Sequence, residues 1–309
     1  MSDAGDLVAS GYDEFYASWG QSPTLRRIWR EHVTGADYPE EFAHISFLPL
    51  AQLQALAEGL NLTADQVLVD LACGAGGPGL WVAKEFGARL VGRDLSAVAV
   101  ERANERVPEV GMAGRAEFGQ GSFEQTGLPA ESADAVMTID ALQYAPNKAK
   151  AIAEVARILR PSRRFGFVAF ELHAERVAGL PVWSDPVGDF RPLLDAAGFE
   201  VLRYEQIPGW QDHVLEGFGA VAAEQEALES ELGHAATAAL ALEASITLEL
   251  RPYRGHVLVI AELLPALRSR SASVRATSRT SGSRRRWQWR DSPRSPPPQR
   301  RSGSRLAGA

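Results

Sequence analysis

The stretch at 67–79, VLVDLACGAGGPG, constrains the chain more than any other. Three apolar residues, Val67, Leu68 and Val69, lead to an acid, Asp70, and then to a glycine-rich turn. Pro78, at a first helical position, and the apolar run Leu80–Trp81–Val82–Ala83 predict that a helix follows. A strand, a glycine turn and a helix in that order open a βαβ unit. Bare main chain at the carboxyl end of a parallel sheet is where such units meet their ligands.

Downstream, strand and helix patterns alternate, which predicts an α/β fold with a doubly wound, mostly parallel seven-stranded sheet. Strands are expected at 67–71, 89–93, 115–119, 133–139, 165–170, 199–206 and 256–263. Helices are expected at 97–106, at 147–159 with Asn147 as N-cap, and at 190–197 ending at Gly198. A turn at 161–164 should precede the fifth strand. Residues 1–60 carry Leu25, Ile28 and Trp29, then Leu50, Leu53, Leu56 and Leu60, at helical spacing, and read as an N-terminal helical cap. Residues 61–267 form the ligand-binding domain, interrupted at 210–248 by an Ala/Glu/Leu-rich helical insertion before the last strand. Cap and insertion are placed to enclose a substrate.

Charge divides the chain. The segment 268–309 has twelve Arg against one acid, a net of +11, and the remainder has 20 basic against 38 acidic residues, a net of −18. The Ser/Pro/Arg-rich tail cannot build a core and is expected to be disordered. No nucleic-acid module accompanies it, so it reads as an extension rather than a binding arm. A single cysteine, Cys73, excludes a disulfide framework and favours a reducing cytoplasm. No signal peptide or membrane-spanning run is apparent, and no spaced ligand set suggests a metal.

Two ligands fit the glycine turn. Residues 74–79 satisfy G-x-G-x-x-G, and Asp94 follows twenty residues after Gly74, as in dinucleotide sites. Against a dinucleotide stands Asp70, which would face a pyrophosphate in a partly desolvated site. The same acid suits the ammonium of S-adenosylmethionine, which carries no phosphate. A nicotinamide-dependent oxidoreductase and a non-catalytic S-adenosylmethionine-binding protein are the alternatives to a methyl-transferring enzyme.

Four segments in order resemble the motifs of the Rossmann-like (class I) S-adenosylmethionine-dependent methyltransferases of small-molecule type. DLACGAG at 70–76 resembles D-x-G-C-G-x-G, with Ala72 in place of the first glycine. GRDLS at 92–96 is similar to G-x-D-x-S, GSFEQTGLPAESAD at 121–134 to G-D-a-x-x-L-P-f-x-x-x-x-F-D, and LRPSRR at 159–164 to l-k-P-G-G-r. The resemblance covers about 67–205. It implies methyl transfer to a small, largely apolar metabolite, with oxygen the first choice of acceptor atom, and an Arg-heavy composition with three Lys fits secondary metabolism.

The resemblance assigns the methionine ammonium to Asp70 and close main-chain approach to Ala72, Cys73, Gly74 and Gly76. Asp94 takes the ribose hydroxyls, with Leu95 beside it. Ser122, in place of the family's acid, and Phe123 flank the adenine, and Asp140 lies where donor and acceptor meet. Among the N-terminal aromatics Tyr12, Phe15, Tyr16 and Trp19, Tyr12 is the first candidate to cover the sulfonium. His173 and His213 are the candidate general bases, with His44 and His32 in the cap ranking lower. Cys73 has no basic neighbour in sequence and no nucleophilic role. The oligomeric state is not encoded in any pattern of the chain.

Overall fold

The computed structural model describes residues 13, 16–17, 22–173 and 185–265. Tyr12 and the basic tail lie outside them.

Seven strands form one sheet: β1 (Val67–Leu71), β2 (Arg89–Asp94), β3 (Ala116–Gln120), β4 (Ala133–Ile139), β5 (Leu159–Leu172), β6 (Phe199–Gln206) and β7 (Arg254–Leu263). Their order is β3-β2-β1-β4-β5-β7-β6, and β7 alone runs against its neighbours. The strand order reverses between β1 and β4, which leaves a crevice at their carboxyl ends. Alternate residues face opposite layers. Leu68, Leu90 and Met137 pack into one buried cluster, and Val69, Val91 and Val136 into the other. Both faces are covered, so the strands read as near-continuous apolar runs.

The helices α1 (Pro23–Trp29), α2 (Leu50–Gly59), α3 (Gly77–Glu85), α4 (Ala97–Glu109), α5 (Lys148–Ile158) and α6 (Arg191–Ala196) fall where the pattern predicts them. Asn147 caps α5 by accepting the Lys150 N–H. The expected insertion resolves into α7 (Trp210–Ala223), α8 (Gln225–Leu232) and α9 (His234–Leu250). It is clasped to the N-terminal helix. Glu231 of α8 accepts from Ser22 Oγ, Thr24 N and Thr24 Oγ1 at 2.5, 3.1 and 2.7 Å, and Arg27 pairs with Glu224.

One boundary differs materially from expectation. β5 begins at Leu159, and the turn expected at 161–164 lies inside it. Ala133 pairs with Leu159 and Ala135 with Arg164, so 160–163 bulge out of the ladder, with Ser162 at φ 59°. Arg160 and Arg163 reach Asp134 at 2.5 and 3.7 Å and hold the bulge. The Pro-Ser signal marks a local bulge rather than a chain reversal, because the strand keeps its direction on both sides of it.

Candidate active site

The site is built from the ends of β1 and β2 and the turn between β1 and α3. Ala72 and Gly74 adopt left-handed backbone, φ 54° and 51°, and turn the chain back under α3. Asp94 fixes the turn: its carboxylate accepts the Gly74 N–H at 2.8 Å and the Ser96 N–H at 2.9 Å. Asp70, 3% exposed, presses on the first turn of α3. A Cβ placed on Gly79 would lie 2.4 Å from Asp70 Oδ2. Burial, and then the charge on Asp94, push the Asp70 carboxyl well above the usual carboxylate range. Asp94 is also raised by burial, against the backbone N–H groups of Ser96, Gly74 and Leu95, which favour its ionised form. Two buried acids at one turn make a site that a cationic ligand would stabilise. Burial, followed by the charges of Asp94 and Asp70, pushes the Cys73 thiol up.

A small cleft opens over this turn, lined by residues 70, 72–75, 77–78 and 139 from below and by Tyr16 and residues 43–46 from above. Its roof is tied down at four points. Asp13 accepts from Ser96 Oγ and Val98 N at the start of α4, which brings Tyr16 over Gly74; a Cβ on Gly74 would sit 2.2 Å from the Tyr16 hydroxyl. Arg106 donates to Ala43 O and to Ala75 O, each at 3.1 Å, and so bolts the roof to the glycine turn. Gly77 admits the Phe42 carbonyl, which lies 2.3 Å from where a Cβ would be. Finally, Asp140 Oδ2 accepts the Phe47 N–H at 2.7 Å.

The other expected site residues are distributed as follows. Leu95 is at the surface beside Asp94. Gly121 N donates to Asp94 O, keeping the loop after β3 against β2, and Ser122 Oγ closes a turn there by accepting the Gln125 N–H. Phe123 packs on the core cluster beneath α5. Gly76 caps α3 at φ 79°. Asp140, at φ 49°, spends its side chain on the roof and on His256, whose Nε2 is 2.6 Å from Oδ1. His256 is fully buried, stacked on Phe170 at 4.2 Å and edge-on to Trp210. His173 is exposed, and its N–H donates to Tyr253 O. His213 on α7 has a buried Nδ1 without a partner and a pKa lowered by burial. Neither lines the cleft; His44, which ranked lower on sequence, does. Asp13, Tyr38, Arg106 and His256 were not singled out as site residues, and His44 was ranked below His173 and His213, because they lie on loops, or on faces that read as solvated or core. The Asp13–Tyr16 spacing was the one usable signal among them. No cluster of metal-ligating side chains occurs among the described residues.

Comparison with known proteins bears on the segment that carries this turn. The family described as "Methyltransferase domain" matches residues 69–167, the span from β1 into β5. That span is where this chain is similar to a methyltransferase domain. The chain is similar to a probable chloroplastic tocopherol O-methyltransferase of Oryza sativa subsp. japonica, 28% identical over 69% of this chain and 64% of that protein. It is also similar to a 27-O-demethylrifamycin SV methyltransferase of Amycolatopsis mediterranei, 28% identical over 53% of this chain and 58% of that one. In both cases the match spans under two thirds of the relative's length. Among solved structures, the cyclase SpnF superimposes with a TM-score of 0.66 at 22% identity, over 83% of this chain and 95% of its own. A putative sarcosine dimethylglycine methyltransferase from Galdieria sulphuraria follows at 0.60 and 19%, over 70% and 83%. These likenesses establish the fold. No helix among the described residues is long and apolar enough to cross a membrane.

Proposed function

We propose that the protein transfers a methyl group from S-adenosylmethionine to an oxygen of a small, largely apolar metabolite, in the secondary metabolism of a cell with a reducing cytoplasm. The observation that carries this reading is Asp70, a buried carboxylate pressed against the first turn of α3. It occupies the place where a dinucleotide would need to put its pyrophosphate. Asp70 would hold the ammonium, the glycine turn would admit the amino-acid chain, Asp94 would face the ribose, and Ser122 and Phe123 the adenine. Bound there, the sulfonium supplies an activated methyl group. The chain's own part is to align the acceptor oxygen behind that methyl and to exclude water, and alignment of this kind supplies most of the acceleration in such displacements.

The acceptor class follows from the cap. Trp29, Phe47, Phe170, Trp210 and Phe218 form a continuous aromatic cluster between roof and sheet, with successive ring centroids 5.4–6.2 Å apart. These rings are buried in the core rather than in the cleft lining, and what supports an apolar acceptor is the aromatic-rich make-up of the cap that packs over the sheet. The relatives named for tocopherol and rifamycin derivatives are consistent with an oxygen acceptor. In this reading residues 1–60 and 210–248 act together as the substrate cap, and the net negative charge of residues 1–267 disfavours a nucleic-acid acceptor.

A second reading draws on SpnF, whose name is that of a cyclase although the fold is shared. A fold alone does not fix the reaction. Calorimetric titration with S-adenosylhomocysteine and with NADH tests the ligand, and tighter NADH binding removes the proposal. Mass spectrometry of metabolites made with and without the protein, looking for pairs that differ by one methyl, tests the reaction. Ligand binding without any such pair favours the second reading.

A further inference from the structure

β7 begins at the carboxyl edge of the parallel strands, where Arg254 pairs with Leu172, the last residue of β5. Alternation puts Arg254 on the same face as His256, and both lie against Phe170. The His256 ring stacks on it, and the Arg254 guanidinium stands 5.4 Å from its centroid. This is the face that the cap covers, since Phe170 and Leu258 share a buried cluster with Trp210 and Val214 of α7. A second wall comes from α9. Glu243, Ile246 and Leu250 fall at i, i+3 and i+7 on that helix, and Ile246 and Leu250 pack with Leu172. Glu243 is therefore carried on the side of α9 that meets the end of β5, beside Arg254. Tyr144, closing the short 3-10 turn Leu142–Tyr144 after β4, lies within the field of both.

Arg254 and Glu243 have opposite charges and act on one another, yet they do not form an ion pair. Among the described residues neither side chain makes a hydrogen bond or a salt bridge. Burial lowers the pKa of Arg254 and raises that of Glu243, so both are drawn partly out of water. Glu243 is nevertheless accessible, and Arg254 partly so. Accessible groups set among enough protein to be desolvated line a recess, not a convex surface. A guanidinium offers donors only, and an ionised carboxylate acceptors only. A carboxylate ligand alone suits Arg254 and meets Glu243 as a like charge. A lone hydroxyl engages one of the two and leaves the other bare. Both are satisfied by one head group that accepts at one end and donates an O–H at the other.

We infer that Arg254 and Glu243 form the recognition site for the acceptor's head group, and that the acceptor is a hydroxy acid. Its apolar body ends in a carboxylate held by Arg254 and a neighbouring hydroxyl held by Glu243. The inference rests on the functional reading above and names the substrate class within it. An amino acid presents an ammonium in place of the hydroxyl, and the experiment separates the two.

The full chain is saturated with S-adenosylhomocysteine and titrated, by ligand-detected NMR, with four matched compounds. These are 3-phenyllactate; 3-phenylpropionate, which lacks the hydroxyl; 1-phenyl-2-propanol, in which a methyl replaces the carboxylate; and phenylalanine. Wild type binds 3-phenyllactate at least about tenfold more tightly than each of the others, the size of one charge-assisted hydrogen bond. Arg254→Met, which keeps an apolar stem over Phe170, removes the preference over 1-phenyl-2-propanol. Arg254→Lys recovers part of it. Glu243→Met removes the preference over 3-phenylpropionate. The variants bind S-adenosylhomocysteine within twofold of wild type, which reports an intact fold. If Arg254→Met does not fold, Glu243→Met, at an accessible helix position, decides the matter. An unchanged ranking in either folded variant overturns the site, and so do equal binding of all four compounds, tighter binding of phenylalanine, and binding of none. A wild-type protein that does not take up S-adenosylhomocysteine fails the functional reading itself, an outcome read before any of the four compounds is added.

Discussion

Gly79→Ala separates the binding role of Asp70 from the stability of the helix beside it. Gly79 lies inside α3 with ordinary helical backbone, where alanine is favoured over glycine by about 0.8–1 kcal/mol. The added methyl would stand 2.4 Å from Asp70 Oδ2 and 3.2 Å from its Cγ. Carbon–oxygen contacts settle near 3.4 Å, so the carboxylate must retreat by roughly 1 Å, or rotate, which breaks a well-formed hydrogen bond to any ligand ammonium. A charge-assisted hydrogen bond contributes about 1.5–3 kcal/mol, so affinity for S-adenosylhomocysteine should fall by about tenfold to a hundredfold. Stability without ligand should change by less than about 1 kcal/mol, because the gain in helix propensity offsets the local repacking. Calorimetric titration measures the first quantity and thermal unfolding without ligand the second. Affinity within twofold of wild type in a normally folded variant would refute the role given to Asp70.

Ala72→Gly should raise stability by about 0.5 kcal/mol, since relief of the left-handed strain at φ 54° exceeds the added unfolded-state entropy; a midpoint that falls in thermal melts contradicts this. His44 has a folded pKa below its ordinary value, so its stabilising contribution is complete above pH 6.5 and is lost as pH falls toward 4, by up to about 3 kcal/mol. Urea titrations across that window should show a steeper decline for wild type than for His44→Gln, and parallel curves would exclude the assignment. His256→Phe keeps the stack on Phe170 but strips Asp140 of one of its two partners, at a cost of about 3 kcal/mol in urea denaturation. A loss under 1 kcal/mol would mean that the pair holds nothing.

The sheet was legible because its strands are short, apolar and bounded by turn residues. β1, β4 and β6 have the bounds that the pattern predicts, and the Asn147 cap is where an Asn before an apolar-periodic run belongs. β5 was shortened in the sequence reading because Pro161 and Ser162 signal a turn, and local chemistry does not reveal that a ladder will bridge it. The floor of the site was equally legible, since the glycine turn and Asp94 lie within one βαβ unit. The roof was not. Phe47 and Asp140 are 93 residues apart, and Arg106 and Ala43 are 63 apart. Such pairings leave no periodic trace, and histidine count or loop position said nothing of which ring would face the cleft.

The tie between roof and floor at Phe47 runs through its amide, not its ring. Any residue except proline can make that bond, whereas the ring itself packs on Trp29, Phe170 and Phe218. Anchor and packing at this position are therefore separable: a smaller side chain would loosen the aromatic cluster and leave the loop tethered.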